Sequence, residues 1–284
     1  MIIWIASYPK SGNTWLRALL SAYFYTDDGF FYDDEILNNI EQFPQKKHFK
    51  DFDHNASLAG DTSRFWIEAQ KKINLDKKIK FLKTHNSLVK LGPNQFTDDQ
   101  NTLGAIYIVR DPRNIVASLS NHFEMNYDES FDFIKNEKKF TYDYFKKDDY
   151  SDFQFISSWE KNYKSWKYNK LFPIIFIRYE DLLVNTFFEF KKILLFIIKI
   201  SGNQINFDKK KAQNAVSSTS FDKLSKIEKQ KGFNEAVKSK INKKVVPFFH
   251  MGPKNDWQKN FDRKFIVKMN DLFKENLEDL GYKV

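Results

Sequence analysis

The stretch Ile2-Ile3-Trp4-Ile5-Ala6-Ser7-Tyr8-Pro9-Lys10-Ser11-Gly12-Asn13-Thr14-Trp15 decides how the rest of the chain is to be read. A short apolar run predicts a buried strand, Tyr-Pro-Lys-Ser-Gly breaks it, and Trp15, Leu16, Leu19 and Leu20 then recur at helical spacing. A strand that turns sharply into a helix presents the first backbone N–H groups of that helix, here those of Ser11, Gly12, Asn13 and Thr14, to an anion. Against the phosphate-loop pattern of a glycine, four residues and then Gly-Lys-Ser/Thr, the fit is partial. Gly12 and Thr14 take the later glycine and hydroxyl positions, but Ser7 replaces the first glycine, Asn13 stands where the lysine would be, and Lys10 comes three residues early. A triphosphate site would lose its usual lysine, while a phosphate with charge developing on its leaving group gains one from the loop side.

Three more apolar runs, Lys80 to Leu82, Ala105 to Val109 and Ile174 to Ile177, share the strand character of the first, and most are followed by helical patterns. That alternation predicts an α/β fold: a single domain over residues 1–284, with a central parallel sheet covered by helices on both faces, P-loop NTPase-like. In such sheets ligands bind beyond the carboxyl ends of the strands. Each run delivers polar residues there: Ser7 to Lys10, Lys83 to His85, Arg110, and Arg178 to Tyr179. The segments from Phe30 to Asn74 and from Phe123 to Phe155 mix aromatic with charged residues and lack strand signals, so they are expected to wall an acceptor pocket. Tyr32, Phe49, Phe52, His54, Trp66, His122 and Phe123 are the candidate wall residues.

The run Ala105 to Ser118 repeats the anion-site logic, with an apolar strand, Arg110 at its end, Pro112 opening a helix and Ser118 along it. The planar guanidinium of Arg110 suits a phosphate, and Ser118 offers a neutral donor to the same group. Asp111, between Arg110 and Arg113, is expected to pair with arginine rather than to ligate a metal. Two phosphate grips imply a nucleotide phosphorylated at two places.

Composition bounds the chemistry. The chain has 284 residues and no cysteine, which excludes disulfides, thiolate catalysis and cysteine-bound zinc, and its five histidines are scattered. Ile2 to Ala6 is too short and wrongly flanked for a secretory signal, and no stretch has membrane-spanning length, so a cytoplasmic protein without membrane insertion is expected. The most apolar later run, Ile193 to Ile198, is bracketed by lysines as a buried amphipathic helix would be. Net charge is +9, and between Asp222 and Pro247 eight lysines (223, 226, 229, 231, 238, 240, 243 and 244) against three acids leave +5. Residues 222–247 are therefore expected to form a basic flap over a polyanionic cofactor.

Taken together these segments resemble the sulfotransferases that use 3′-phosphoadenosine 5′-phosphosulfate (PAPS). Residues 8–15 are similar to that family's 5′-phosphosulfate loop, and Ile108-Val-Arg-Asp-Pro-Arg-Asn-Ile-Val-Ala-Ser118 to its 3′-phosphate segment. Lys83-Thr84-His85 resembles the strand end bearing the catalytic base, and Arg178 to Leu182 the Tyr-Glu-Asp segment. Thr219-Ser220-Phe221 resembles the stretch that contacts adenine, with Trp15 on its other face. The resemblance implies sulfuryl transfer from PAPS to a hydroxyl or amine of a small-molecule or glycan acceptor, leaving adenosine 3′,5′-bisphosphate. His85 would be the base, Lys10 and Lys83 the charge stabilisers without a metal, Ser118 a restraint on Lys10, and Tyr179 part of the cofactor site. One departure stands out. Where the family often has Arg-Lys-Gly before Gly-Asp-Trp, this chain has His250-Met251-Gly252, which keeps the glycine N–H and leaves Lys254 or the basic flap to supply charge. Two other classes fit parts of the pattern: an Mg²⁺-dependent nucleotide kinase of the same fold, and a non-catalytic basic nucleotide- or nucleic-acid-binding protein. No base-reading module supports a nucleic-acid partner, and a catalytically dead sulfotransferase-like binder would not need Lys10, Lys83 and His85 together.

Overall fold

The computed structural model describes residues 1–143, 148–202, 205–239 and 242–284, so Lys240 of the basic span lies outside the described residues. Four parallel strands form the central sheet: β1 (Ile2–Ser7), β2 (Lys80–Thr84), β3 (Thr102–Val109) and β4 (Ile174–Arg178), in the spatial order β2-β1-β3-β4. The register aligns Ala6 with Thr84 and with Tyr107, and Val109 with Arg178. All four strands therefore end at one edge. The chain leaves β1 toward β2 on one side and returns to β3 on the other, so the order reverses between β1 and β3. That switch point is where an open α/β sheet leaves a crevice.

Alternate residues of the strands face opposite layers, and both sets are apolar because helices cover both faces. Trp4, Ala6, Tyr107 and Val109 face α2 (Trp66–Ile73), α3 (Pro112–Phe123), α4 (Tyr127–Lys135), α5 (Trp159–Lys167) and α11 (Arg263–Asp279). Ile3, Ile5, Ile106 and Ile108 face α1 (Asn13–Tyr25), α7 (Thr186–Ile200) and α8 (Lys209–Ser218). The apolar run predicted as an amphipathic helix lies in α7, which buries Phe190, Ile193, Leu194 and Ile197 at helical spacing. Three further helices complete the layers around the crevice: α6 (Tyr179–Val184), α9 (Phe221–Lys231) and α10 (Trp257–Asn260).

The two segments expected to lack strands carry short pairings after all. Phe140–Thr141 pairs antiparallel with Gln154–Phe155, and Gln42 bridges Lys83 alongside β2. Neither is long enough for side-chain alternation to show in sequence. The Gln42 bridge covers the open edge of β2, with Lys83 donating to Glu41 O (2.7 Å) and accepting from Phe43 N–H (2.9 Å). Among the described residues no helix is long and apolar enough to cross a membrane.

Asp111 and Arg113 form the buried clasp that fixes the β3-to-α3 corner. Asp111 caps α3 by accepting from Arg113 N–H and takes the Arg113 guanidinium at 2.7 and 2.9 Å, as the flanking arginines predicted. Arg113 also donates to Asn270 Oδ1 (2.8 Å) and Lys283 O (2.6 Å) and lies over Trp257 at 3.8 Å, joining the C-terminal helix to the site. With both partners almost fully buried, Arg113→Ala leaves an uncompensated carboxylate, and we expect a loss of about 3–5 kcal/mol. Urea unfolding measures it; a wild-type midpoint would rule the clasp out.

Candidate active site

Beyond the shared strand edge lies a cavity of about 1310 Å³, lined by residues from Pro9 to Asn255. One wall is the loop after β1. Lys10 and Gly12 sit at positive φ (64° and 98°), the local price of turning a strand into a helix within a few residues. Gly12 is demanded twice over, because a Cβ there would come within 2.5 Å of the Tyr179 ring. No side chain caps α1. Gly12, Asn13 and Thr14 line the cavity, where an anion would satisfy the first N–H groups of the helix.

Asn13, at the position of the missing phosphate-loop lysine, turns inward. Its amide donates to Ile5 O (3.1 Å) and Ser7 Oγ (3.2 Å), pinning the start of α1 to the end of β1. Ser7 continues the connection to His85, whose Nδ1 lies 2.8 Å from Ser7 O and 3.2 Å from Ser7 Oγ. A carbonyl accepts only, so Nδ1 carries the proton and Nε2 keeps a free lone pair. Gln154 Oε1 accepts from His85 N–H and Asn162 Nδ2 donates to His85 O, so the backbone of His85 is held from both sides. Burial, reinforced by Lys83, pushes the imidazole down to about 3. That shift keeps His85 neutral across the whole physiological range.

Lys83 reaches Gln42 Oε1 at 3.1 Å, and burial lowers its ammonium. Lys10 is pushed down to about 7, by burial first, with Arg110 and Lys83 adding to it and Glu235 opposing. Its ammonium rests on the Phe248 ring at 4.2 Å, whereas the sequence expectation was a restraint by Ser118. Ser118 lines the same cavity one wall away.

The second wall is built from β3, α3 and β4. Arg110 donates to Lys10 O (3.0 Å) and stacks on Tyr179 at 4.2 Å, while its buried Nε has no partner. Glu180, next to Tyr179, accepts from Asp111 N–H (3.1 Å) and Tyr282 Oη–H (2.8 Å), and burial raises its carboxyl. The Tyr-Glu-Asp segment therefore positions Arg110 from below. Trp15 meets Tyr179 edge-on at 5.7 Å, with its own Nε1 buried and unpartnered.

The remaining predicted residues divide. Phe221, His250, Met251 and Gly252 line the cavity, and Gly252 is pressed so flat on Phe221 that a Cβ would come within 2.2 Å of the ring. Thr219 does not: it is fully buried and its hydroxyl donates to Ala215 O (2.8 Å), which leaves Ser220 and Phe221 facing the cavity in its place. Ser11 is likewise buried beneath the loop, its N–H on Tyr8 O at 3.3 Å. Lys254 is exposed beside the cavity and absent from its lining. The same holds for the lysines of the flap, at 223, 226, 229, 231, 238, 243 and 244, all of which face solvent. Residues 222–247, taken with Phe248 and Phe249 after them, form a flap that is basic outside; toward the cavity it carries those two phenylalanines, Asp222 and Glu235. Of the expected acceptor walls, His122 and Phe123 line the cavity, Phe49 and Trp66 belong to the core, and Tyr32 is exposed.

Arg17 and Glu235 were missed. Thr14 Oγ donates to Glu235 Oε2 at 2.6 Å, and Arg17 forms an ion pair with the same carboxylate and donates to Leu37 O at 2.8 Å. Burial opposes charge on Glu235, but Arg17, Lys83 and the Thr14 bond outweigh it and hold the carboxyl well below the usual range. The signals were present: Arg17 is a lone charge on the apolar face of α1, and Glu235 is the one acid between Gly232 and Pro247.

A nucleotide with two phosphates fits what is here. Uncapped N–H groups with Lys10 on one side, and the unpartnered Arg110 Nε with Ser118 on the other, are donors suited to anions. Glycines 12 and 252 let the backbone pack flat on Tyr179 and Phe221, where any Cβ would collide with the ring. Among the described residues no group of His, Asp and Glu is placed to hold a metal.

Comparison with known proteins agrees with this geometry. The family model described as "Sulfotransferase domain" matches residues 2–281. Sulfotransferase 1C2 of Rattus norvegicus is 23% identical, covering 95% of this chain and 80% of the relative, and luciferin sulfotransferase of Photinus pyralis is 24% identical over 98% and 72%. The crystal structure of mouse sulfotransferase SULT7A1 complexed with PAP superposes with a TM-score of 0.57 at 20% identity, over 99% of this chain and 86% of that one. The chain belongs to the sulfotransferase domain family, the enzymes that transfer a sulfuryl group from PAPS.

Proposed function

We propose that this protein transfers the sulfuryl group of PAPS in line to a hydroxyl or amine of a small acceptor, with His85 as general base and Lys10 and Lys83 stabilising the leaving phosphate. PAPS, when bound, supplies a sulfuryl group already activated on a phosphate oxygen. The observation that carries the reading is the hydrogen bond from His85 Nδ1–H to Ser7 O (2.8 Å). It presents Nε2 as a proton acceptor on a cavity that also holds Lys10 and Lys83. The loop that binds phosphate and the group that takes the proton are thus tied to the same residue, Ser7.

Each residue has a task that its surroundings support. Gly12 to Trp15 and Lys10 would hold the 5′-phosphate, and Arg110, Ser118 and His250 the 3′-phosphate. Phe221 and Trp15 would enclose adenine, with Gly252 backing Phe221. His85, neutral because burial disfavours its charged form, accepts the acceptor's proton. Lys83 and Lys10 meet the charge that develops on the bridging oxygen, in a cavity whose partial dryness strengthens the attraction. A relative that acts on luciferin supports a small hydroxylated acceptor. The acceptor would enter past Gln42, His122, Phe123 and Gln154, which line the cavity beside His85.

Two measurements test this. His85→Ala should lower turnover about 10²- to 10⁴-fold with bisphosphate affinity unchanged; full turnover would remove the base. Because the wild-type imidazole titrates at about 3, kcat/KM should show no acid limb near pH 6.5. Lys10 gives the second test. Its ammonium titrates at about 7 in the free protein, and a phosphate beside it raises that value, so the complex holds more protons above pH 7 than the free protein. Affinity for adenosine 3′,5′-bisphosphate should then fall as pH rises above 7. Calorimetry at pH 8 in buffers of different ionisation enthalpy should show proton uptake that Lys10→Met abolishes; uptake unchanged in that variant would exclude Lys10 as the phosphate's partner.

A further inference from the structure

We propose that Glu235 is the resident anion of the cofactor site: a carboxylate carried on the flap that occupies Thr14 and Arg17 in the free protein and yields them to the 5′-phosphosulfate. The proposal rests on reading the cavity as a PAPS site. Thr14 Oγ donates to Glu235 Oε2 at 2.6 Å, and that hydroxyl belongs to the helix start that faces the cavity. The other carboxylate oxygen pairs with Arg17, one helical turn on. Both Lys10 and Lys83 lie near enough to Glu235 for its charge to support theirs. An incoming phosphosulfate would meet a site whose hydroxyl and whose nearest guanidinium already serve an anion.

The flap does not depend on this contact to stay in place. Glu228 accepts from the N–H groups of Phe248 (2.6 Å) and Phe249 (3.0 Å), closing the flap onto α9. Asn234 N–H, next to Glu235, donates to Asp34 at 2.6 Å, and Phe233 packs on Phe248 and Phe249 with ring centroids 5.0 and 4.9 Å apart. The Glu235 side chain can therefore let go while the flap stays tied at Asp34 and Glu228. The same flap holds Lys10 through the Phe248 ring. Cofactor entry accordingly exchanges two contacts of one element, Thr14 from Glu235 and Lys10 from Phe248. A carboxylate in this place keeps the cations compensated when no nucleotide is bound, and it makes the 5′-phosphosulfate compete for entry.

The test separates the two ends of the nucleotide. Adenosine 3′,5′-bisphosphate and adenosine 3′-monophosphate, which lacks the 5′-phosphate, are titrated calorimetrically into the wild-type chain and into Glu235→Gln and Glu235→Ala, each checked for a cooperative melt. Removing a competing anion raises the fraction of protein ready to bind, so both variants should bind the bisphosphate about three- to tenfold tighter, with the monophosphate unchanged. Unchanged or weaker bisphosphate binding by a folded variant overturns the proposal, as does equal tightening for both nucleotides. Failure of the wild-type chain to bind either nucleotide overturns instead the reading of the cavity on which the proposal stands. Should the alanine variant not fold, the isosteric glutamine variant decides the outcome.

Discussion

Positive charge held in a confined space is the constraint around which this molecule is arranged. Lys10, Arg17, Lys83 and Arg110 come from three separate strand ends and one helix, yet all line a single cavity. Desolvation disfavours each of them, and Lys10 and Lys83 show it directly in their lowered ammonium groups. Such a cluster persists only with anions nearby or with guanidinium groups fixed by other bonds. Here Arg17 leans on Glu235 and Leu37 O, and Arg110 on Lys10 O and the Tyr179 ring. What remains uncompensated is concentrated where two phosphates would lie.

The parallel sheet makes this concentration possible. Because β1, β2, β3 and β4 end at one edge, residues 10, 83, 110 and 179 meet although they are far apart in sequence. Hydrogen bonds across that edge then couple the parts. Asn13 joins the phosphate loop to Ser7, Ser7 joins His85, and Arg110 joins the loop again at Lys10 O. Shifting any one strand end by a residue would misplace His85 relative to the loop, because each group is referred to its neighbour rather than to solvent.

This explains which parts were legible in the sequence. The strands, the phosphate loop, Arg110 with Asp111 and the triplet Lys83 to His85 are local: a short apolar run followed by specific polar residues carries its own meaning. The inward turn of Asn13 was not local, since it depends on Ile5 O and Ser7 Oγ being within reach. Thr219 was misjudged for a related reason. A hydroxyl at the end of a helix can bond back to the carbonyl four residues earlier, and at Thr219 that bond to Ala215 O wins over the cavity. The basic flap illustrates the limit of counting charge. Its lysines turn to water, where hydration favours them, while Glu235 faces inward to the cations. Net charge gave the sign of the segment and missed the sign of the face that matters.

The wall proposed for the acceptor was least legible because it is assembled from fragments. Gln42, His122 and Gln154 come from a bridge residue, a helix end and a two-residue strand, with no periodicity to announce them. Yet two of these are bonded to the groups assigned to the chemistry, Gln42 to the Lys83 ammonium and Gln154 to His85 N–H. The carbonyl of each amide is occupied by that bond, which orients the amide and leaves its NH₂ group as the donor still to be placed. An acceptor that took a hydrogen bond from either amide would be positioned against a residue already fixed to the base or to the charge stabiliser. Acceptor recognition and proton transfer would then share the same few side chains, so changing the acceptor wall at Gln42 or Gln154 would also disturb the geometry of Lys83 or His85.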